Sequence, residues 1–164
     1  SMGLHELGPF DPKKKIIEYV IADAADSRLV RMDLVAFANE TASESPAPGG
    51  GSIAAYAGAL GASLGAMVAN LSAGKRGWEE QTAYFSQVAV QCQNIKDGLL
   101  RLVDADTRAF DGIMQAFALP KATDEEKKAR SAAIQAATKV AIETPLQSMR
   151  LANESFEPLA AMID

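Results

Sequence analysis

The sequence has 164 residues, with 16 lysine and arginine residues against 21 aspartate and glutamate residues, and its formal net charge is −5. This length is typical of one compact domain, and a hydrophobic share of 48% excludes disorder as a description of the whole chain. Because neither half of the chain is basic, we expect no nucleic-acid partner and no binding to an anionic membrane. One cysteine and one histidine exclude a disulfide framework and leave too few ligands for a zinc site, so we expect no metal.

The N-terminal residues 1–28 are predicted to form a linker-like segment with a short helix over 9–22. Asp11 is the predicted N-cap of that helix, and Pro12 occupies its first position. Residues 29–164 are predicted to form the helical domain. No basic start is followed by an apolar run, as in a signal peptide, so we expect a cytoplasmic location.

Residues 45–74 contain no charged side chain, and their apolar core predicts a helix over 52–72. Its length would suffice to cross a membrane, but small residues dominate and no aromatic belt flanks it. We therefore predict a buried central helix and no membrane. Gly58, Gly61 and Gly65 lie on one face of this helix, which predicts close packing against another helix, including one from a second copy in a dimer.

The second half of the sequence shows helical periodicity. One long helix is predicted from Glu79 to Leu119, ended by Pro120, and the next begins at Thr123 with a capping box. Pro145 is expected to kink or break that second helix. No segment alternates with the period of a strand. The predicted fold is all-α, a multi-helical bundle around the Gly/Ala-rich helix.

The turn before the apolar helix is the first candidate site. Gly49, Gly50, Gly51 and Ser52 would expose N–H groups at a helix N-terminus, where the helix dipole favours an anion or a polarised carbonyl. The same residues also fit a tight entry turn with Ser52 as the cap. Composition alone leaves both interpretations open.

Asp106 is the second candidate. It shares a helical stripe with apolar residues, so its carboxylate is predicted to point towards the apolar side of the bundle. Such a carboxylate is either paired or functional. Asp104 lies about 200° away around the helix and close to Arg101 and Arg108, which favours a solvated ion-pair face for it.

A third group lies at the far end of the apolar helix. Asn70 could orient a ligand amide, and Lys75 with Arg76 could hold a ligand carboxylate. The same cations are also favoured by the helix C-terminus without any ligand.

Four ordered motifs resemble one enzyme family. They are Ser45-Pro-Ala-Pro-Gly-Gly-Gly-Ser-Ile-Ala-Ala55, Met67-Val-Ala-Asn-Leu-Ser-Ala-Gly-Lys75, Asp106-Thr-Arg-Ala-Phe110 and Leu119-Pro-Lys121. Together they closely resemble the cyclodeaminase/cyclohydrolase family of folate enzymes. The segment Gly3–Tyr19 is similar to the linker that precedes the cyclodeaminase part of bifunctional formimidoyltransferase-cyclodeaminases. Family members continue through further helices, so we expect C-terminal helices to be absent from this sequence after Asp164.

The resemblance implies a homodimeric helical enzyme that acts on a reduced folate and needs no prosthetic group. It implies closure of 5-formimidoyltetrahydrofolate to 5,10-methenyltetrahydrofolate with release of ammonia, and a possible formimidoyltransferase domain or partner. Asp106 would be the acid–base group. The expected substrate-binding residues are Gly49, Gly50, Gly51, Ser52, Asn70, Lys75 and Lys121. The alternatives are a methenyltetrahydrofolate cyclohydrolase and a non-catalytic helical dimerisation module.

Overall fold

The computed structural model describes residues 29–162, and every regular element in that range is helical. The all-α prediction is therefore confirmed. The predicted helix over 9–22 and the linker-like segment lie outside the described residues. The helices are α1 (Leu34–Thr41), α2 (Gly50–Ala73), α3 (Thr82–Ala118), α4 (Asp124–Glu154) and α5 (Phe156–Ala160), with a 3₁₀ turn, Glu79–Gln81, leading into α3.

The helix boundaries follow local chemistry. Asp33 caps α1 by accepting the N–H of Ala36 at 2.7 Å. The predicted capping box of α4 is present, with Thr123 and Glu126 bonding each other's backbone N–H groups. Pro145 does not break α4, so that part of the prediction is wrong. Helix α4 contacts α3 on both sides of the proline, through Arg130 before it and Leu151 after it, and this packing favours a continuous helix.

The core is an antiparallel pair formed by α2 and α3. As the α2 residues advance from Ala55 to Ala69, their α3 partners retreat from Val103 to Val88. Helix α2 contributes small residues and α3 contributes larger ones, so the two backbones can lie close together. Cys92 is fully buried in this interface, and burial raises the pKa of its thiol, as expected for a structural cysteine.

Two of the three glycines on the predicted packing face of α2 contact other helices of the same chain. A Cβ at Gly58 would lie 3.2 Å from Leu99, and one at Gly65 would lie 2.6 Å from Leu159. Gly61 meets no atom within 4 Å. The predicted close helix packing is confirmed, but at Gly58 and Gly65 it is with α3 and α5 of the same chain.

The face of α2 that is turned away from α3 is exposed. Its large apolar residues recur at helical spacing and form a stripe of 42–69% exposed side chains: Leu60, Leu64, Met67, Val68 and Leu71. Helix α2 is long and apolar enough to cross a membrane by length and composition, but 39% of that span is already buried in the protein. The prediction of a buried central helix is thus confirmed for one face only, because α3 covers just one side of α2.

Helix α3 is much longer than its partner. Its 37 residues span about 55 Å, whereas the 24 residues of α2 span about 36 Å. The N-terminus of α2 meets α3 at Asp106, so the rest of α3 extends past α2 and packs against α4. Phe117 lies in this extension and is 50% exposed, because the N-terminus of α2 does not reach it. The two long helices thus form a projecting hairpin beside the start of α2.

Candidate functional site

The Asp106 carboxylate sits on the N-terminus of α2. Its Oδ2 accepts the backbone N–H of Ser52 at 2.9 Å and lies 3.2 Å from the Ser52 hydroxyl oxygen. The N-cap residue of α2, Gly49, has no side chain with which to do this. Asp106 therefore caps α2 from the neighbouring helix, and it faces inward and is half-buried, as predicted from its register.

Gly51 makes this approach possible. A Cβ built on Gly51 would overlap the Asp106 carboxylate, lying within 2.7 Å of its Oδ2. Gly49 is also close, since its Cβ would lie 3.9 Å from the same oxygen, whereas Gly50 meets nothing within 4 Å. Gly49, Gly50 and Gly51 thus form a tight turn into α2, and their lack of side chains lets the Asp106 carboxylate contact the N-terminus of that helix.

A cleft opens beside Asp106. Its volume is about 180 Å³, and it is lined by residues of the entry turn, of α3 and of α4: Pro46, Gly49, Asp106, Thr107, Ala109, Phe110 and Ala141. Phe110 is 44% exposed, so an aromatic ring stands one turn beyond the carboxylate. The cleft offers a carboxylate and an aromatic face, and these two features suit a flat, partly cationic ligand.

Asp104 is buried, so the prediction of a solvated ion-pair face is wrong. It is 5% exposed, and its carboxylate accepts the backbone N–H groups of Leu29 at 2.8 Å and Val30 at 3.4 Å. The two aspartates do lie on different faces of α3, as predicted. Asp104 faces the segment before α1, and Asp106 faces the start of α2. Asp104 and Thr107 help to line a second cleft of about 160 Å³.

Ser52 is not available to a ligand. Its side chain is fully buried, and its hydroxyl lies 2.8 Å from the Val103 carbonyl as well as near Asp106. The expectation that Ser52 donates directly to a substrate is therefore wrong. Of the predicted glycines, Gly49 lines the Asp106 cleft, whereas Gly50 and Gly51 do not.

Three predicted binding residues lie far from Asp106. Asn70 is 18 positions beyond Ser52 on α2, which is about 27 Å along the helix. Lys75 lies past the end of α2, and its ammonium stands 3.8 Å from the centre of the Trp78 ring. Lys121 lies in the loop at the tip of the α3–α4 hairpin, beyond about 18 Å of helix. None of the three lines the Asp106 cleft of its own chain.

The residues that sequence reasoning missed are those that only packing brings together. Pro46, Thr107 and Phe110 stood within the sequence motifs but carried no assigned role. Ala141 lies outside every motif, and no spacing rule connects it to Asp106. Within residues 29–162, no group of three or more histidine, cysteine, aspartate or glutamate residues could hold a metal ion.

The fold and the site define an all-helical protein with a carboxylate held at a glycine-rich helix start. Residues 33–164 match the formiminotransferase-cyclodeaminase family, and the chain belongs to that family. This confirms the resemblance drawn from the sequence motifs.

Curated relatives carry two kinds of name. The chain is 44% identical over 145 residues to the formimidoyltransferase-cyclodeaminase of Gallus gallus, covering 88% of this chain and 27% of the relative. It is 34% identical over 163 residues to that of Dictyostelium discoideum, covering 98% and 29%. It is also 44% identical over 121 residues to the methenyltetrahydrofolate cyclohydrolase of Methylorubrum extorquens, covering 74% and 58%. The chain thus spans about a quarter of the length of the bifunctional relatives.

Proposed function

We propose that this protein closes 5-formimidoyltetrahydrofolate to 5,10-methenyltetrahydrofolate and releases ammonia. The observation that carries the proposal is the Asp106 carboxylate, fixed on the N-terminus of α2 and lining an open cleft. The names of the bifunctional relatives support the reaction class. The Dictyostelium match covers 98% of the chain, so it includes most of the linker-like N-terminal segment, which favours the cyclodeaminase over the cyclohydrolase.

The chemistry requires one proton to move twice. The anilino nitrogen of the folate attacks the carbon of the protonated formimidoyl group, and Asp106 takes the proton that this nitrogen loses. Asp106 then gives the proton to the amino group, whose bond to the carbon breaks as ammonia leaves and the cationic methenyl bridge forms. A carboxylate serves both as the acid–base group and as the stabilising charge, so the scheme needs no metal and no prosthetic group.

The neighbouring residues would bind the substrate. The ring of Phe110 offers an apolar face to a flat heterocycle, and the backbone N–H of Gly49 can bond a polar atom at its edge. Lys121, about 18 Å away along the hairpin, would meet only the extended glutamate end of a folate.

The cyclohydrolase is the second candidate function, and one observation favours it. The Methylorubrum cyclohydrolase is as similar to this chain as the chicken protein is, and the chain covers more of its length. In that reaction water would attack the same carbon bridge, and Asp106 would take the proton of the water.

A pair of assays separates these functions. We expect ammonia release from 5-formimidoyltetrahydrofolate, with the 5,10-methenyl product followed by its absorbance. Hydrolysis of added 5,10-methenyltetrahydrofolate without ammonia release from the formimidoyl substrate would instead establish the cyclohydrolase. Activity in neither assay, for a folded protein, would favour the non-catalytic dimerisation module.

We also propose a homodimer that forms through the exposed stripe of α2. The stripe carries five large apolar residues and the segment 45–74 carries no charge, so two copies can pack face to face without burying a charged group. An antiparallel pair is expected because the helix dipoles then oppose each other. Such a pair would bring Asn70 and Lys75 of one copy towards the Asp106 cleft of the other, which would unite the motifs that one chain keeps apart.

Leu64→Lys is expected to convert this dimer to a monomer, because it places a charge at the middle of the stripe. The matched control is Val90→Lys on α3, since both side chains are 59% exposed and only Leu64 lies on the stripe. Sedimentation velocity at micromolar concentration measures the outcome. A wild-type protein that sediments as a monomer, or a Leu64→Lys variant that stays dimeric, would contradict this interface.

A further inference from the structure

Ser52 contacts Asp106 through two of its atoms but cannot contact a substrate. Its side chain is fully buried, its backbone N–H donates to Oδ2 of Asp106 at 2.9 Å, and its hydroxyl lies 3.2 Å from the same oxygen. Because it is buried, Ser52 can affect a ligand in the cleft only through the residues that it contacts, and Asp106 is the charged one among them.

Both contacts from Ser52 end on one oxygen of the carboxylate. The backbone N–H of Ser52 donates to Oδ2, and the hydroxyl can donate to the same oxygen, which restricts rotation of the carboxylate. Oδ1 receives no bond from Ser52, and it is the oxygen nearest to the position that a Cβ on Gly51 would occupy. The arrangement therefore makes the two oxygens different, with Oδ2 anchored by Ser52 and Oδ1 packed against Gly51.

The Ser52 hydroxyl has one hydrogen and three oxygens within reach, of which the Thr107 hydroxyl oxygen, at 3.5 Å, is the farthest. The Val103 carbonyl lies 2.8 Å away and the Asp106 Oδ2 lies 3.2 Å away. Rotation about the Cβ–Oγ bond can move the hydrogen from one acceptor to the other. The hydroxyl can thus donate to Asp106 when the carboxylate is charged and to Val103 when Asp106 carries a proton, so the buried oxygen is bonded in both states.

We propose that Ser52 is a positioning residue that anchors Oδ2 of Asp106 and so holds the carboxylate in the orientation in which it takes the proton from the substrate and returns it. The proposal rests on the proposed function, in which Asp106 is the acid–base group. The Ser52 hydroxyl donates to Asp106 while the carboxylate is charged and to the Val103 carbonyl while Asp106 is protonated. The hydroxyl is therefore hydrogen-bonded in both protonation states of Asp106.

The test is a double-variant cycle on kcat and KM for ammonia release, using Ser52→Ala, Asp106→Asn and the double variant. Ser52→Ala is expected to lower kcat on the order of tenfold with KM unchanged, since it removes one hydrogen bond to a charged group. In the Asp106→Asn background the same change is expected to have no further effect on kcat. Ser63→Ala is the control, because Ser63 also lies on α2 and its hydroxyl bonds only the Ala59 carbonyl of its own helix, at 2.7 Å.

A wild-type kcat for Ser52→Ala, or a tenfold loss that persists in the Asp106→Asn background, overturns the positioning role while the proposed function stands. Normal turnover of the Asp106→Asn variant overturns the proposed function itself, and the role of Ser52 falls with it. Thermal melting of each variant checks folding. If Ser52→Ala does not fold, Ser52→Cys keeps the size with only a weak donor and has the same expected results.

Discussion

Asparagine in place of Asp106 is expected to slow ring closure by about 100- to 10,000-fold while KM stays close to its wild-type value. The amide oxygen can still accept the N–H of Ser52, so the cap on α2 persists and the protein folds. The amide cannot take and return a proton, nor can its neutral group stabilise a cationic carbon. The rate of ammonia release against substrate concentration measures kcat and KM, and thermal melting verifies the fold.

Asp104→Asn is the matched control for this prediction. It makes the same chemical change on the same helix, but the carboxylate of Asp104 holds the backbone of Leu29 and Val30. We expect its free energy of unfolding to fall by about 1–3 kcal/mol, with kcat close to wild type. If Asp106→Asn turns over normally and Asp104→Asn does not, the roles of the two aspartates are reversed.

The second large effect is expected from Gly51→Ala. The new methyl group would occupy the space of the Asp106 carboxylate, and the carboxylate has to turn away because it is the movable partner. A displacement of about 1 Å at a reacting group costs on the order of 100-fold in rate. We expect a loss of kcat of that order, with the helix content by circular dichroism unchanged.

Gly50→Ala is the control for Gly51→Ala. The two glycines are adjacent in the first turn of α2, but a Cβ on Gly50 meets no atom within 4 Å. Its backbone N–H is retained, so activity should remain near wild type, and the loss of a glycine should stabilise the protein by about 0.4–1 kcal/mol. Equal losses of kcat in both variants would show that the turn is sensitive to any side chain, and that the carboxylate is not the cause.

Local signals in the sequence predicted the helices well. The uncharged segment 45–74 contains α2, as expected. The stop at Pro120 and the capping box at Thr123 depend on a few neighbouring residues, and they mark the end of α3 and the start of α4, as expected. Pro145 shows the limit of such signals. A proline weakens a helix locally, but long-range packing of α4 on α3 outweighs that weakness.

The candidate site was predicted only in part, and for a physical reason. The inward direction of Asp106 follows from helical periodicity, whereas its contact with Ser52 spans 54 positions and depends on how α2 meets α3. Asp104 illustrates the same point, because its burial comes from Leu29, 75 positions away. Periodicity describes the faces of one helix, and it does not specify which segment covers each face.

The projecting α3–α4 hairpin makes the stability of this protein uneven along its length. Near Cys92, α3 is covered by α2 on one side and by α5 on another, but beyond Asp106 α4 is its only long helical neighbour among residues 29–162. Two helices bury less apolar surface than three, so backbone amides near Phe117 should open and exchange their hydrogens sooner than those near Cys92. The cleft lies at the boundary between these two regions. A ligand that bridges Phe110 and the start of α2 would therefore join the part of the fold that opens easily to the part that does not, and hydrogen exchange in the hairpin would slow when the ligand binds.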